Sequence, residues 1–306
     1  MRILITGANG LLGQKLVTLL QQDKNVHLIA TARNTLVQKI HSGEFHQLDI
    51  TNNSQVNAVI ANTKPDVIIN TAAMTQVDLC ETEREACIAN NVTAVGHLIE
   101  SCEKSKAHLI HISTDFIFDG SRGPLDENEE PHPVNFYGES KLAAEQLIRF
   151  STIDWSILRT VLVYGVISDM SRSNIVLWVK KSLEEGKKIS VVNDQWRTPT
   201  LAEDLAMGCY LAALKKAKGI FNISGKDFMT PYDIAVRTAT FFKLDSSLIT
   251  PTDSTQFKQP AVRPLKTGFI IDKAKKELWY EPHSFEEGLK IIQDQLNHYR
   301  LEVDRL

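Results

Sequence analysis

Tyr137 and Lys141 stand four residues apart in Tyr-Gly-Glu-Ser-Lys, in a stretch that reads as a helix from about Tyr137 to Phe150. On a helix, positions i and i+4 share a face, so the phenol and the ammonium point into one space. A free phenol titrates near pH ~10 and is a poor acid–base group at neutral pH. A lysine cation beside it favours phenolate and brings it towards the range useful for general catalysis. The spacing alone also fits an aromatic beside a snorkelling lysine. A second group of polar residues, Ser113-Thr114-Asp115, ends a predicted strand and adds context. Ligands of open α/β folds bind beyond the carboxyl ends of the strands. A hydroxyl there could bond the substrate oxygen that Tyr137 protonates; Ser and Thr after a strand otherwise serve as turn caps.

The first thirteen residues, MRILITGANGLLG, read as a cofactor-binding site. Ile3 to Ile5 form a short apolar strand, and Gly7, Gly10 and Gly13 open a helix whose apolar positions are Leu12, Leu16, Leu19 and Leu20. A helix N-terminus presents unpaired N–H groups and partial positive charge, and glycines let a diphosphate approach the backbone. The spacing is G-x-x-G-x-x-G, where the usual dinucleotide fingerprint is G-x-G-x-x-G. After the second strand the chain reads Thr31-Ala32-Arg33, without the carboxylate that bonds the ribose of NAD. A guanidinium suits a 2′-phosphate, so Arg33 favours NADP(H), with NAD(H) left open. Asp49-Ile50 follows the third strand and is placed to meet adenine, unless Asp49 caps the next helix.

The elements that must position these groups alternate. Strands are expected at Val26–Ala30, Phe45–Leu48, Val67–Asn70, Leu109–Ser113 and Trp155–Arg159. Helices are expected over 53–62 and 83–105, and a loop with Pro124, Pro131 and Pro133 delivers the chain to Tyr137. Such alternation predicts an α/β fold, a doubly wound parallel sheet of the Rossmann kind. Beyond Gly165 short strands (Ile189–Val192, Gly219–Ile223, Leu265–Ile270) mix with helices near 174–185, 202–215, 231–243 and 284–300. The last helix carries Phe285, Leu289, Ile292, Leu296 and Tyr299 as a core-facing stripe. Residues 1–165 are thus expected as the NAD(P)-binding domain. Residues 166–306 form a smaller C-terminal α/β substrate-binding part, some of whose elements return to the sheet.

Composition narrows the function classes. With 306 residues, 43% hydrophobic and 23% charged, the chain has the make-up of an ordinary globular protein with a large core. A formal net charge of -3 gives no electrostatic reason for nucleic acid or an acidic membrane as partner. A strand that starts at residue 2 leaves no room for a signal peptide, and no apolar run approaches a membrane span. Cys80, Cys87, Cys102 and Cys209 lack metal-ligand spacing, so no metal is expected and free thiols in a reducing cytoplasm are.

Taken together, GANGLLG, Asn70-Thr71-Ala72-Ala73, Asn91-Val92, the strand-end hydroxyls and YGESK resemble the extended short-chain dehydrogenase/reductases. Within them the chain is most similar to the dTDP-4-dehydrorhamnose reductase family, through Pro65–Asp78, His111–Gly120, Pro131–Glu145, Leu158–Gly165 and Val191–Thr200. The resemblance implies a catalytic Thr114, Tyr137 and Lys141. It implies cofactor contacts from Gly7, Asn9, Gly10, Leu11, Leu12, Asp49, Ile50, Ala72, Ala73 and Asn91, besides Tyr137 and Lys141. The implied substrate is a nucleotide-linked keto-deoxysugar, with Thr75, Asp115, Arg197 and Arg263 as candidate contacts and the two arginines on its diphosphate. The chain departs from the family at Met74, at Trp196-Arg197-Thr198 and at Arg263-Pro264-Leu265-Lys266-Thr267, all on the substrate side. A reductase of another ketone, or a regulatory subunit like the methionine adenosyltransferase beta subunit, stays open, as does a homodimer.

Overall fold

The computed structural model describes residues 1–167 and 174–303, with the side chains of the final helix through His298. The first half runs β1 (Arg2–Thr6), α1 (Leu11–Leu20), β2 (His27–Ala32), β3 (Glu44–Gln47), α2 (Asn53–Thr63) and β4 (Val67–Asn70). It continues through α3 (Val77–Thr82), α4 (Arg84–Ile88), α5 (Ala94–Ser105), β5 (His108–Thr114), α6 (Phe136–Phe150) and β6 (Trp155–Thr160). Then follow β7 (Val163–Tyr164), α7 (Ile175–Glu184), β8 (Ile189–Val192), β9 (Thr200–Leu201), α8 (Ala202–Lys215) and β10 (Gly219–Asn222). The chain ends with α9 (Pro231–Phe242), β11 (Ile249–Thr252), α10 (Asp272–Leu278) and α11 (Phe285–Val303).

The central sheet has seven parallel strands in the order β3-β2-β1-β4-β5-β6-β10, the doubly wound arrangement expected. Its strands are apolar almost throughout because helices cover both faces. Successive residues of β1 serve opposite faces: Ile3 and Ile5 pack with Leu16 of α1 and Leu205 of α8, while Leu4 packs with Ile68 and Leu98 of α5. Strand order reverses between β1 and β4, which opens a crevice beyond their carboxyl ends. Gly219–Asn222 joins this sheet beside β6, and α8 packs along α1. No described helix is long and apolar enough to cross a membrane.

Two elements differ from expectation. The single helix over 83–105 is a series of short helices with a π-helical turn at Ala89–Thr93. That wider turn coincides with Asn91, whose carboxamide reaches out of the helix to the backbone of Met74. Residues 265–270 form no strand. Lys266 and Phe269 make only isolated bridges, to Trp196 and Leu125. Pro264 lacks the donor a ladder needs, and Gly268 is pressed against the Phe228 ring. In α11, Phe285, Leu289 and Ile292 are buried against Tyr164, Val176 and Ile234 and Leu296 is half-buried; the side chain of Tyr299 lies outside the described residues.

Candidate active site

A cavity of about 480 Å³ opens where α1 begins and β4 and β5 end, and its wall includes Gly10, Leu12, Ala72, Thr114, Tyr137 and Lys141. Their meeting follows from how α6 starts. Asn135 caps the helix, accepting from the Gly138 N–H at 2.8 Å. A Cβ on Gly138 would lie 2.1 Å from the Phe116 carbonyl oxygen, so this glycine lets α6 dock against the turn after β5. Docking brings Tyr137 edge-on to Phe116, ring centroids 5.8 Å apart, and sets its phenol across from Thr114. The Thr114 hydroxyl accepts from the Phe116 N–H at 3.2 Å and donates to Asp115 Oδ1 at 3.2 Å.

The electrostatics differ from the expectation for a Tyr–Lys pair. Burial dominates Tyr137 and pushes its phenol above the ordinary range, with the Thr114 hydroxyl pulling it down. Lys141 is not what perturbs it: its Nζ donates to the Ile112 carbonyl at 2.6 Å and lies 3.0 Å from His111 Nε2. Burial lowers the lysine itself to about 8. The phenol therefore stays protonated at neutral pH, the form in which it can donate.

At the start of α1 the glycines are a cradle. Gly7 has φ +71°, and a Cβ on Gly13 would lie 2.2 Å from the Gly7 carbonyl oxygen. Among the described residues no side chain caps this helix and no acid occupies its first turn, which leaves its N–H groups facing the cavity. A second hollow of about 200 Å³ continues past Gly7, Asn9, Arg33, Asp49, Ile50 and Ala73. Asn9 ties the turn after β2 through Thr35 O and the Val37 N–H. Arg33 is exposed and, among the described residues, has no carboxylate partner. Asp49 accepts from the Thr51 N–H and hydroxyl, and Asn52 caps α2. These residues fit a dinucleotide: bare helix N–H groups for its diphosphate and an exposed guanidinium at the far end. Asn91 is placed elsewhere. It is buried behind the loop, bonded to both backbone groups of Met74 and to Ser140, and holds Ala72 and Ala73 only through that loop.

The substrate-side candidates divide. Arg197 does not face a diphosphate. It is 4% exposed, and its guanidinium is spent on the carbonyls of Trp196, Leu265 and Pro264, with Asp115 3.5 Å from Nε. Asp115, also buried, accepts from Thr114 on one oxygen and from Thr267 on the other. Thr75 is exposed on the cavity rim. Arg263 forks onto Asp78, both contacts 2.6 Å, and borders a separate cavity of about 510 Å³ with Asn174, Trp178, Gln195 and Phe257.

The sequence reading passed over a polar row behind the site. Thr6, Asn70 and His111 are cross-strand partners in register on β1, β4 and β5, all at most 1% exposed. Asn70 and His111 stand in otherwise apolar strands, and a polar residue in a doubly covered strand was the available signal.

The chain matches the family model of the RmlD substrate binding domain over residues 1–298. It is 31% identical to the probable low-salt glycan biosynthesis reductase Agl14 of Haloferax volcanii, over 96% of this chain and 98% of that one. It is 33% identical to methionine adenosyltransferase 2 subunit beta of Bos taurus, over 83% and 76%. Among solved structures, a dTDP-4-dehydrorhamnose reductase from Clostridium acetobutylicum superposes with TM-score 0.87 at 31% identity, over 97% of this chain and 100% of that one. The Bacillus anthracis dTDP-4-dehydrorhamnose reductase, solved in complex with NADP, gives 0.83 at 28%, over 96% and 99%. With a seven-stranded parallel sheet, a glycine cradle and a Thr–Tyr–Lys cavity already in place, the chain belongs to the RmlD substrate-binding-domain family, within the extended short-chain dehydrogenase/reductases.

Proposed function

We propose that the protein is an oxidoreductase that uses NADPH to reduce the ketone of a nucleotide-linked 4-keto-6-deoxysugar. One observation carries the reading: Thr114, Tyr137 and Lys141 share a single cavity with the uncapped N-terminus of α1. The bound nicotinamide supplies the hydride. Tyr137 donates the proton that the reduced oxygen needs, in the protonated form that its burial maintains. Thr114 orients the carbonyl, and Lys141 presents an ammonium to the nicotinamide ribose and to the developing charge on the Tyr137 oxygen. The N–H groups of the first turn of α1 take the diphosphate, beside Gly7, Asn9, Gly10, Leu11 and Leu12. Arg33 takes the 2′-phosphate and so favours NADPH over NADH, and Asp49 and Ile50 flank the adenine. Residues 1–165 serve the cofactor. Residues 166–306 serve the substrate, while β10 and α8 return to the sheet. Arg263 is the arginine for the sugar nucleotide, with Thr75 at the rim; Arg197 is a brace.

The test follows NADPH absorbance with dTDP-4-keto-6-deoxy-D-glucose and a panel of other nucleotide-linked keto sugars. Consumption of NADPH with formation of the alcohol supports the reading, and wild-type inactivity across the panel refutes it. A second reading, a regulatory subunit, is favoured by the 33% identity to a methionine adenosyltransferase subunit. Inactivity combined with tight, productive binding to a partner enzyme would select it.

A further inference from the structure

Lys141 is almost wholly buried at the wall of the cavity, 2% exposed, and an ammonium there must spend its three N–H groups on the protein or on what fills the cavity. Its bond to the Ile112 carbonyl would exist on any strand, because it uses backbone. Its second neighbour is a chosen side chain: His111 Nε2, at 3.0 Å. The other ring nitrogen, Nδ1, stands 3.1 Å from Asn70 Nδ2, and Asn70 Oδ1 accepts from the Thr6 hydroxyl at 2.6 Å. Thr6, Asn70 and His111 therefore make a row across three strands that ends on Lys141.

Proton counting constrains this row. An ammonium only donates, so the ring nitrogen facing it must hold a lone pair, and the single proton of a neutral imidazole must sit on Nδ1. With the proton on Nδ1 the Asn70 carboxamide must be turned over, its oxygen on Nδ1–H and its amino group on Thr6, because two donors cannot face both nitrogens of a neutral ring; the Thr6 oxygen also receives the Ala72 N–H at 3.3 Å. Burial and the neighbouring Lys141 both hold the ring well below its ordinary titration range, consistent with a neutral imidazole. Around the ammonium lie Tyr137 and Glu145 from its own helix, Cys87 from α4 and His111 from β5; Glu145 is paired with Arg159 of β6.

We propose that His111 is a positioning residue: in its Nδ1–H tautomer, held by Asn70, it accepts from Lys141 and so aims the remaining N–H of that lysine into the cavity. The inference rests on the reductase reading for what that N–H meets, and on the Lys141–His111 contact and proton counting for the tautomer.

Two substitutions separate placement from bulk. His111→Gln puts an amide oxygen near the position of Nε2, whereas His111→Asn reaches only as far as Nδ1. With dTDP-4-keto-6-deoxy-D-glucose, His111→Asn is expected to lower ketone reduction by about tenfold to a hundredfold through misplacement, and His111→Gln to retain most of it. NADPH affinity should weaken as pH rises through about 8, where Lys141 loses its charge. In His111→Asn that limb should move down by about one pH unit, because the ammonium has lost an acceptor. Equal effects of the two variants, or an unmoved limb in His111→Asn, would overturn the proposal. Nitrogen-15 spectra of the wild-type histidines at pH 7 test it without any variant. An Nδ1–H neutral ring at His111 supports it, and an Nε2–H or doubly protonated ring overturns it. If His111→Asn does not fold, the tautomer decides. If wild type reduces no keto sugar, the reductase reading falls while the tautomer and the NADPH limb still judge this one.

Discussion

Thr114 and Asp115 are neighbours in the chain and both line the cavity, yet their polar atoms are engaged differently. Thr114, Tyr137 and Lys141 border an open cavity. Asp115, Arg197 and Thr267, directly behind, are closed on one another and on the carbonyls of residues 196, 264 and 265. Both clusters are buried and rich in side chains that could do chemistry. What separates them is how fully their donors and acceptors are engaged within the protein. The front cluster can act on a ligand. The rear cluster ties the 264–267 segment to β5 and so fixes the floor on which Thr114 stands.

The largest effect should come from the front. Tyr137→Phe keeps the ring against Phe116 and removes only the hydroxyl. Ketone reduction should fall by ~10²–10⁴-fold, the usual cost of losing a general acid, with NADPH affinity and thermal midpoint nearly unchanged. Equal activity of mutant and wild type in NADPH oxidation would refute Tyr137 as the acid. The rear cluster should respond in the reverse sense. Arg197→Ala leaves the Asp115 carboxylate buried without its cation, a change that typically costs about 3–5 kcal/mol. Burial already raises Asp115, so in the mutant it takes up a proton more readily. The stability deficit should therefore be greatest at neutral pH and shrink as pH falls. Denaturant titrations of both proteins at several pH values measure it. A stable Arg197→Ala protein with a purely catalytic defect would break the distinction between front and rear.

Arg33 offers a smaller and more selective effect. Its guanidinium is exposed, so it contributes an exposed charge-assisted contact or two, at ~1.5 kcal/mol each. Arg33→Ala should weaken NADPH by roughly tenfold to a hundredfold on that arithmetic and leave NADH nearly untouched. Parallel titrations with the two cofactors give the ratio, and equal losses would return Arg33 to the ordinary surface.

The contrast also shows how far a sequence can be read. The parallel sheet was legible because apolar runs and helical periodicity repeat along residues 1–165, and the structure orders those strands as the alternation requires. The residues that share the cavity were legible because Tyr137 and Lys141 lie one helical turn apart and Thr114 ends a strand. Arg197 was misread because residue type says what a guanidinium can bond, while only the packed chain says what it has bonded already. His111 was passed over for the converse reason. Its meaning comes from cross-strand register with Asn70 and Thr6, partners 41 and 105 residues away, and no local spacing encodes that. The strand expected at 265–270 failed similarly: its β-like residues serve as a strap over three other segments.

Arg263 lies between the two kinds of place and should show the smallest effect. Its guanidinium is forked onto Asp78, as a closed cluster would have it, yet it also borders the 510 Å³ cavity beside Gln195 and Trp178. Its side chain is 18% exposed and that of Asp78 40%, so the pair is largely screened and contributes at most about 1 kcal/mol to folding. Arg263→Ala should therefore leave the unfolding midpoint close to wild type. If the cavity takes the diphosphate of a sugar nucleotide, the KM for dTDP-4-keto-6-deoxy-D-glucose should rise by about tenfold, one charge-assisted bond's worth, while kcat and NADPH affinity hold. Asp78→Asn provides the complement: it frees the guanidinium from a competing carboxylate and should lower that KM if the arginine reaches the substrate. An unchanged KM in both variants would make the Arg263–Asp78 pair a brace like Arg197, only nearer the surface.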